Sequence, residues 1–286
     1  MAEIISGKVV SQAVRDQIAF EVKSLSEKYG NTPGLAVIKV GDDPASAVYV
    51  RNKHKACLEV GIRSYQIELP EQTTEQELIA RIDELNSDPD VNGILVQLPL
   101  PSHISEKAVI ERISVDKDVD AFHPANVGRI MIGNYDFLPC TPAGVIELLK
   151  FYNIEIASKK CVIIGRSNIV GKPMSLLLLE NNGTVTVCHS KTQDLASITR
   201  EADIIVVAIG RAEFLRADMV KDGAVVVDVG INRLGDGRLV GDVAFDEVAI
   251  KASYITPVPG GVGPMTITML LKNTLIAYKK QKADKK

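Results

Sequence analysis

The segment Val162-Ile163-Ile164-Gly165-Arg166-Ser167-Asn168-Ile169-Val170-Gly171-Lys172-Pro173 constrains the fold more than any other part of the chain. Its three consecutive β-branched residues suit a strand covered on both faces of a parallel sheet. Gly165 permits a sharp turn at the strand's end, and Gly171 permits close packing of the helix that follows. That helix is predicted to run through Met174–Asn181, with Pro173 in its first turn, where a missing N–H costs least. Backbone N–H groups at such a helix start favour an anion, and a dinucleotide pyrophosphate is the usual one.

The spacing departs from G-x-G-x-x-G, because Arg166 and Ser167 stand where the pattern has a variable residue and its second glycine. NAD sites place an acidic residue about 20 residues further on, against the ribose hydroxyls. Here the next predicted strand, Thr184–Val187, ends in Cys188-His189-Ser190-Lys191 without an acid. Arg166, Ser167, Ser190 and Lys191 offer donors for a 2′-phosphate instead, so NADP is expected over NAD.

Upstream, periodicity predicts a helix over residues 6–29, a strand at Gly34–Val40 and a helix at Pro44–Val60 ended by Gly61. A strand at Arg63–Leu69, a helix at Thr74–Leu85 capped by Thr73 or Thr74, and a strand at Gly93–Leu98 follow. This alternation argues for a parallel sheet with right-handed crossovers. Within 102–138, the irregular polar stretch Lys117–Ile130 is expected to be a loop around a site. A helix at Thr141–Tyr152 leads into strands at Lys160–Ile164, Thr184–Val187, Asp203–Val207 and Ala224–Asp228, with Leu239–Val243 as an edge strand. Tyr254–Thr256 then enters Pro257–Pro264, a run expected to be loop because of its Gly and Pro content. Thr266–Tyr278 is the last predicted helix, and Lys279–Lys286, with five lysines, is expected to be a frayed solvated end. The fold class is therefore α/β, with two α/β domains and a Rossmann-like second one.

Composition narrows the function classes. A formal net charge of −3 over 286 residues does not suggest nucleic acid as main partner. No apolar run is long enough to span a membrane, and Met1-Ala2-Glu3 shows no signal-peptide pattern. Four scattered cysteines, without C-x-x-C, suit a reduced cytoplasmic protein. The four histidines show no ligand spacing, so no metal site is expected.

Tyr49 and Lys53 lie four apart on one helix face. Taken alone, Lys53 reads as one solvated lysine beside Arg51, His54 and Lys55. Gln97 ends an otherwise apolar strand, where ligands of open α/β sheets sit, and a buried amide there needs partners. Asp116, Asp118 and Asp120 alternate, and nothing local chooses among them.

Several segments together resemble one family, the bifunctional methylenetetrahydrofolate dehydrogenase/cyclohydrolases. They are Val40–Ser46 with Tyr49-Val50-Arg51-Asn52-Lys53, Gly93–Pro101, Lys117–Phe122, and Pro139–Gly144. Gly165–Ser167 with Val170–Pro173, Cys188–Thr192 and Pro257–Thr266 complete the set. The resemblance implies oxidation of 5,10-methylenetetrahydrofolate with NADP, then hydrolysis of the methenyl cation to 10-formyltetrahydrofolate, in the one-carbon metabolism that serves purine biosynthesis. It implies Lys53 as the key catalytic residue, oriented by Gln97, with Tyr49 packing against folate and Asp120 binding the pterin. It also implies folate contacts from Tyr49, Val50, Arg51, Asn52 and Lys53, from Val96, Gln97 and Leu98, and from Pro259, Gly260, Gly261, Val262 and Gly263. Gly165, Arg166, Ser167, Ser190 and Ile231 would line the NADP. Residues 1–139 would form the folate domain, with the helix of 265–286 packing back on it, and 140–264 the NADP domain. The folate cleft would lie between them, in a cytoplasmic homodimer. The rivals are a monofunctional dehydrogenase, another two-domain dehydrogenase such as one acting on a shikimate-like acid, and a non-catalytic nucleotide-binding subunit.

Overall fold

The computed structural model describes residues 1–283. Its elements begin with β1 (Glu3–Ile4), α1 (Gly7–Tyr29), β2 (Gly34–Val40), α2 (Pro44–Glu59), β3 (Arg63–Leu69), α3 (Glu75–Ser87) and β4 (Gly93–Val96). Helices α4 (Glu106–Arg112), α5 (Pro124–Met131) and α6 (Cys140–Phe151) follow. Next come β5 (Lys160–Ile164), α7 (Gly171–Glu180), β6 (Thr184–Cys188), α8 (Leu195–Thr199), β7 (Ile204–Val207) and β8 (Val225–Asp228). The last are β9 (Asn232–Arg233), β10 (Leu239–Val240), α9 (Phe245–Lys251), β11 (Tyr254–Ile255) and α10 (Val262–Ala283). By their contacts these elements form two compact units, one of residues 13–138 with those from 267 onward, the other of residues 1–12 with 139–266.

The first unit is built on a parallel sheet in the order β3-β2-β4. Its central strand, β2, is buried at every residue, as expected of a parallel strand covered on both faces. Ala36, Ile38, Val40, Ile94 and Val96 share one face with Leu78, Ile82 and Leu85 of α3 and Val109 of α4. Leu78 and Ile82 are fully buried, each stabilising the unit by about 1.5–3 kcal/mol. The opposite face carries Leu35, Val37 and Lys39, in register with Ser64, Gln66 and Glu68, and α2 lies over it, with Cys57 against Ser64. Thr74 caps α3 in a full capping box with Glu77. The end of α10 is sewn into this unit: Asn273 Nδ2 donates to the carbonyls of Val119 and Leu138, each at 2.8 Å, and Tyr278 Oη to that of Asn31.

The second unit holds an all-parallel sheet in the order β1-β11-β8-β7-β5-β6. Its inner strands β5, β7 and β8 are runs of Val and Ile, buried along nearly their whole length. Met1–Gln12 go with this unit, because β1 pairs with β11; the sequence placed them in the folate-binding domain.

Four expectations are corrected. Residues 239–243 are not an edge strand: β10 pairs only with β9, in a small antiparallel hairpin. Lys117–Ile130 is not all loop, because Pro124 opens α5 at its first helical position, with His123 as N-cap. The Gly-Pro run is loop only to Gly261; α10 starts at Val262 with Pro264 in its first turn, where its missing N–H is tolerated. Lys279–Ala283 continue α10 rather than fray, and Lys280 pairs with Asp116 and Asp136 at 3.2 and 2.5 Å. The remainder of that tail, 284–286, lies outside the described residues.

Candidate active site

In the first unit the chemistry gathers at the carboxyl ends of the strands. Asp43 caps α2, its carboxylate accepting from Ser46 N–H at 2.7 Å, and Pro44 opens the helix. Lys53, half-buried, points from α2 to the end of β4, where its Nζ donates to Gln97 Oε1 at 2.9 Å. Gln97 Nε2 donates in turn to the Leu98 carbonyl at 2.7 Å. That second bond fixes the amide, so that its oxygen and not its nitrogen faces the lysine. Tyr49, one turn before Lys53, is 42% exposed. Cys57, one turn after, is buried, and burial pushes its thiol up to about 12, so it stays neutral beside the lysine. Val50 is buried, whereas Arg51 and Asn52 are exposed on α2. Lys53 is thus held at the end of β4 by the amide oxygen of Gln97.

The three alternating aspartates separate cleanly. Asp116 is exposed and pairs with Lys280. Asp118 is buried and accepts from Phe122 N–H, His123 N–H and Asn126 Nδ2, the last two at 2.8 Å. Burial pushes its carboxyl up, against those three hydrogen bonds. Asp118 bridges to Ile94 as a parallel neighbour, which sets Asp120 beside Val96 at the end of β4. There half-buried Asp120 lines a hollow with Val96, Leu98, Phe122 and residues of α4. The structure thus joins Lys53 to Gln97 and sets Asp120 at the same strand end.

The second unit holds the nucleotide corner. Gly165 has φ +132°, and a Cβ there would stand 2.3 Å from the Ala208 carbonyl oxygen. A Cβ on Gly171 would stand 2.3 Å from the Gly165 carbonyl oxygen, so α7 lies as close to the turn as backbone allows. Ser167 Oγ accepts from Val170 and Gly171 N–H, at 3.1 and 3.3 Å. Two helix-start donors expected to face an anion are thus already used, because a serine occupies the second-glycine position. Gly165 N–H donates to the Cys188 carbonyl at 2.9 Å, bringing the ends of β5 and β6 together. Arg166, Ser167, Ser190 and Lys191 are all exposed at these two ends. This donor set, with no carboxylate at Cys188–Lys191, fits a phosphorylated ribose and hence NADP. Pro259, Gly260 and Gly261 form the turn before α10, while Val262 and Gly263 start it.

Sequence reasoning missed a pair of buried aspartates in this unit. Asp228, ending β8, accepts N–H bonds from Gly230, Asp242 and Val243, each at 2.9 Å. Asp242 accepts from Ile209, Gly210 and Arg211 N–H and from Asn232 Nδ2, at 2.7–3.0 Å. Burial, aided by the Asp242 charge, raises Asp228 to about 7. Between them the two carboxylates hold the Gly230 backbone N–H and the Asn232 side-chain amide, on either side of exposed Ile231, the sequence-predicted NADP contact. The available signal was Asp228-Val229-Gly230 and Gly241-Asp242: a Cβ at Gly230 would meet Asp242 Oδ1 at 2.2 Å, and one at Gly241 would meet Asp228 Oδ2 at 1.8 Å.

Comparison with known proteins points to one family. Residues 5–120 match a family model described as the tetrahydrofolate dehydrogenase/cyclohydrolase catalytic domain, and residues 139–282 match the NAD(P)-binding domain of the same description. Over 280 residues the chain is 59% identical to a protein of Acetivibrio thermocellus named Bifunctional protein FolD, covering 98% of each. The solved FolD methylenetetrahydrofolate dehydrogenase/cyclohydrolase of Campylobacter jejuni superposes with a TM-score of 0.96 at 54% identity, covering 98% of this chain and 99% of that one. A Trypanosoma brucei methylenetetrahydrofolate dehydrogenase-cyclohydrolase, solved with NADP and an inhibitor, gives a TM-score of 0.94 at 42% identity and 98% coverage of both chains.

Proposed function

This chain belongs to the tetrahydrofolate dehydrogenase/cyclohydrolase family, and we propose that it performs the family's two reactions with Lys53 as proton carrier. It oxidises 5,10-methylenetetrahydrofolate to the 5,10-methenyl cation with NADP and hydrolyses that cation to 10-formyltetrahydrofolate. The monofunctional alternative is not favoured. NADP, when bound, accepts the hydride. The methylene carbon loses it with the help of adjacent nitrogen lone pairs, so the chain's part in oxidation is orientation. Hydration asks more: the attacking water loses a proton, and the ring nitrogen gains one as the ring opens. Lys53 takes the first and returns the second.

The observation that carries this reading is the Lys53–Gln97 hydrogen bond. It aims the amine at the carboxyl end of β4, and the amide that holds it adds no charge of its own. Tyr49, on the same helix face, supports the folate, and Asp120 accepts N–H bonds from the pterin edge. Val50, Arg51, Asn52, Val96, Leu98 and the segment Pro259–Gly263 complete the folate contacts. Arg166, Ser167 and Ser190 receive the 2′-phosphate, with Gly165 and Ile231 against the rest of the nucleotide. The folate-binding part is residues 13–138 with the end of α10; the NADP-binding part is 1–12 with 139–266. The enzyme works as a cytoplasmic homodimer, and its product supplies formyl groups for purine biosynthesis.

One spectrophotometric assay tests the function: NADP reduction with methylenetetrahydrofolate, then loss of the methenyl absorbance. Both are expected. Reduction without hydration would leave a dehydrogenase alone, and neither would remove the reading.

A further inference from the structure

The α2-facing side of the three-stranded sheet holds a charge that the reaction so far does not use. Lys39 lies at the end of β2 and is 5% exposed. It stands opposite Glu68 in the register of β2 with β3. On its other side, Ile38 pairs with Val96 and accepts the Gln97 N–H, so Lys39 and Gln97 are neighbours across the strands. Alternation puts both side chains on the face that α2 covers, where Lys53 reaches Gln97. Glu68, Lys39 and Gln97 thus form one polar row beneath Lys53. Lys39 Nζ is 3.7 Å from Glu68 and 3.7 Å from Asp42, whose side chains are 65% and 101% exposed. Water screens those two carboxylates far more than it screens the buried ammonium between them.

We propose that Lys39 is a positioning residue for the cyclohydrolase step: its buried positive charge disfavours a second one on Lys53, so that Lys53 is available as a base near neutral pH. The effect is the ordinary repulsion of like charges. The neighbours already described do not supply it. Tyr49 and Cys57 share its helix, and Cys57 is held neutral by burial. Arg15 of α1 is already paired with Glu59 at 2.8 Å. Asp120 and Glu68 are negative and act in the opposite direction.

This inference rests on Lys53 being the base, and the test separates the two. The pH profile of hydration is measured on the full enzyme, after subtraction of uncatalysed hydrolysis, for the parent and for Lys53→Met, Lys39→Met, Lys39→Arg and Glu68→Gln. Loss of hydration in Lys53→Met upholds Lys53 as base; persistence near the parent rate removes that reading whatever Lys39 does. Given the loss, Lys39→Met is expected to move the rising limb up in pH, the direction that removing a like charge requires. Lys39→Arg is expected to keep the limb in place, and Glu68→Gln to move it down. An unmoved limb in Lys39→Met, or an equal move in Lys39→Arg, overturns the proposal. If Lys39→Met fails to fold, Glu68→Gln decides: a downward shift supports the proposal and an unmoved limb overturns it.

Discussion

Replacing Lys53 by Met is expected to separate the two reactions, and the structure sets the sizes to expect. Methionine has nearly the same length and helix propensity as lysine, so α2 and its Asp43 cap stay intact. The fold loses the hydrogen bond from Lys53 Nζ to Gln97 Oε1 at 2.9 Å. Gln97 is only half-buried, so water takes the vacant acceptor and the cost in stability is about 1 kcal/mol. The cost to hydration is larger. A lost acid–base group lowers a rate by roughly 10²–10⁴-fold, which is about 3–5.5 kcal/mol of transition-state stabilisation. Oxidation transfers no proton at Lys53 and is expected to fall less than about tenfold. The assay measures both rates on one preparation of Lys53→Met, with a thermal melt to hold folding constant. Hydration near the parent rate refutes the proton-carrier role. Collapse of both rates while folate still binds refutes the separation and leaves Lys53 orienting substrate for both steps.

Three further outcomes are expected. Arg166→Ala lowers the preference in kcat/KM for NADP over NAD by roughly 10–150-fold, the kinetic equivalent of about 1.5–3 kcal/mol from one charge-assisted phosphate contact; equal use of both cofactors by the parent refutes the 2′-phosphate assignment. Asp120→Ala weakens folate binding with little change in melting temperature, whereas Asp118→Ala leaves three donors unpaired and destabilises by about 2–4 kcal/mol; folate titration and thermal melts read the two apart. Asp228 has its folded pKa raised from 3.8 to about 7, so its contribution to stability is full below pH 4 and is lost as pH rises to about 7, up to about 4 kcal/mol; melts across that window are expected to show the decline, and Asp228→Asn to flatten it.

Most of the architecture was legible because the chemistry that forms it is local. The inner strands are short runs of Val and Ile between turn residues, and the start of α3 is marked by Thr73 and Thr74, of which Thr74 is the cap. What was not legible depended on distant partners. β1 is two residues long, and only β11, some 250 positions later, makes it a strand. The hairpin of β9 and β10 looked like an edge strand because its pairing direction leaves no mark in composition. At the site, Gln97 stood out as an amide ending an apolar strand, but nothing near Lys53 distinguished it from its cationic neighbours until α2 was laid over β4. Asp116, Asp118 and Asp120 are equivalent in sequence. Burial and three donors single out Asp118 as structural, and the bridge to Ile94 carries Asp120 to the end of β4.

The chain's two units are interleaved along the sequence, and this has a consequence for biosynthesis. The six-stranded unit needs both β1 and β11, which lies some 250 residues after it. The other unit waits longer, since Asn273 must close the carbonyls of Val119 and Leu138 and Tyr278 that of Asn31. Many multidomain chains complete an N-terminal domain while the ribosome is still at work. Here the six-stranded unit closes only once β11 is made, and the Lys53 unit later still, once the end of α10 is made.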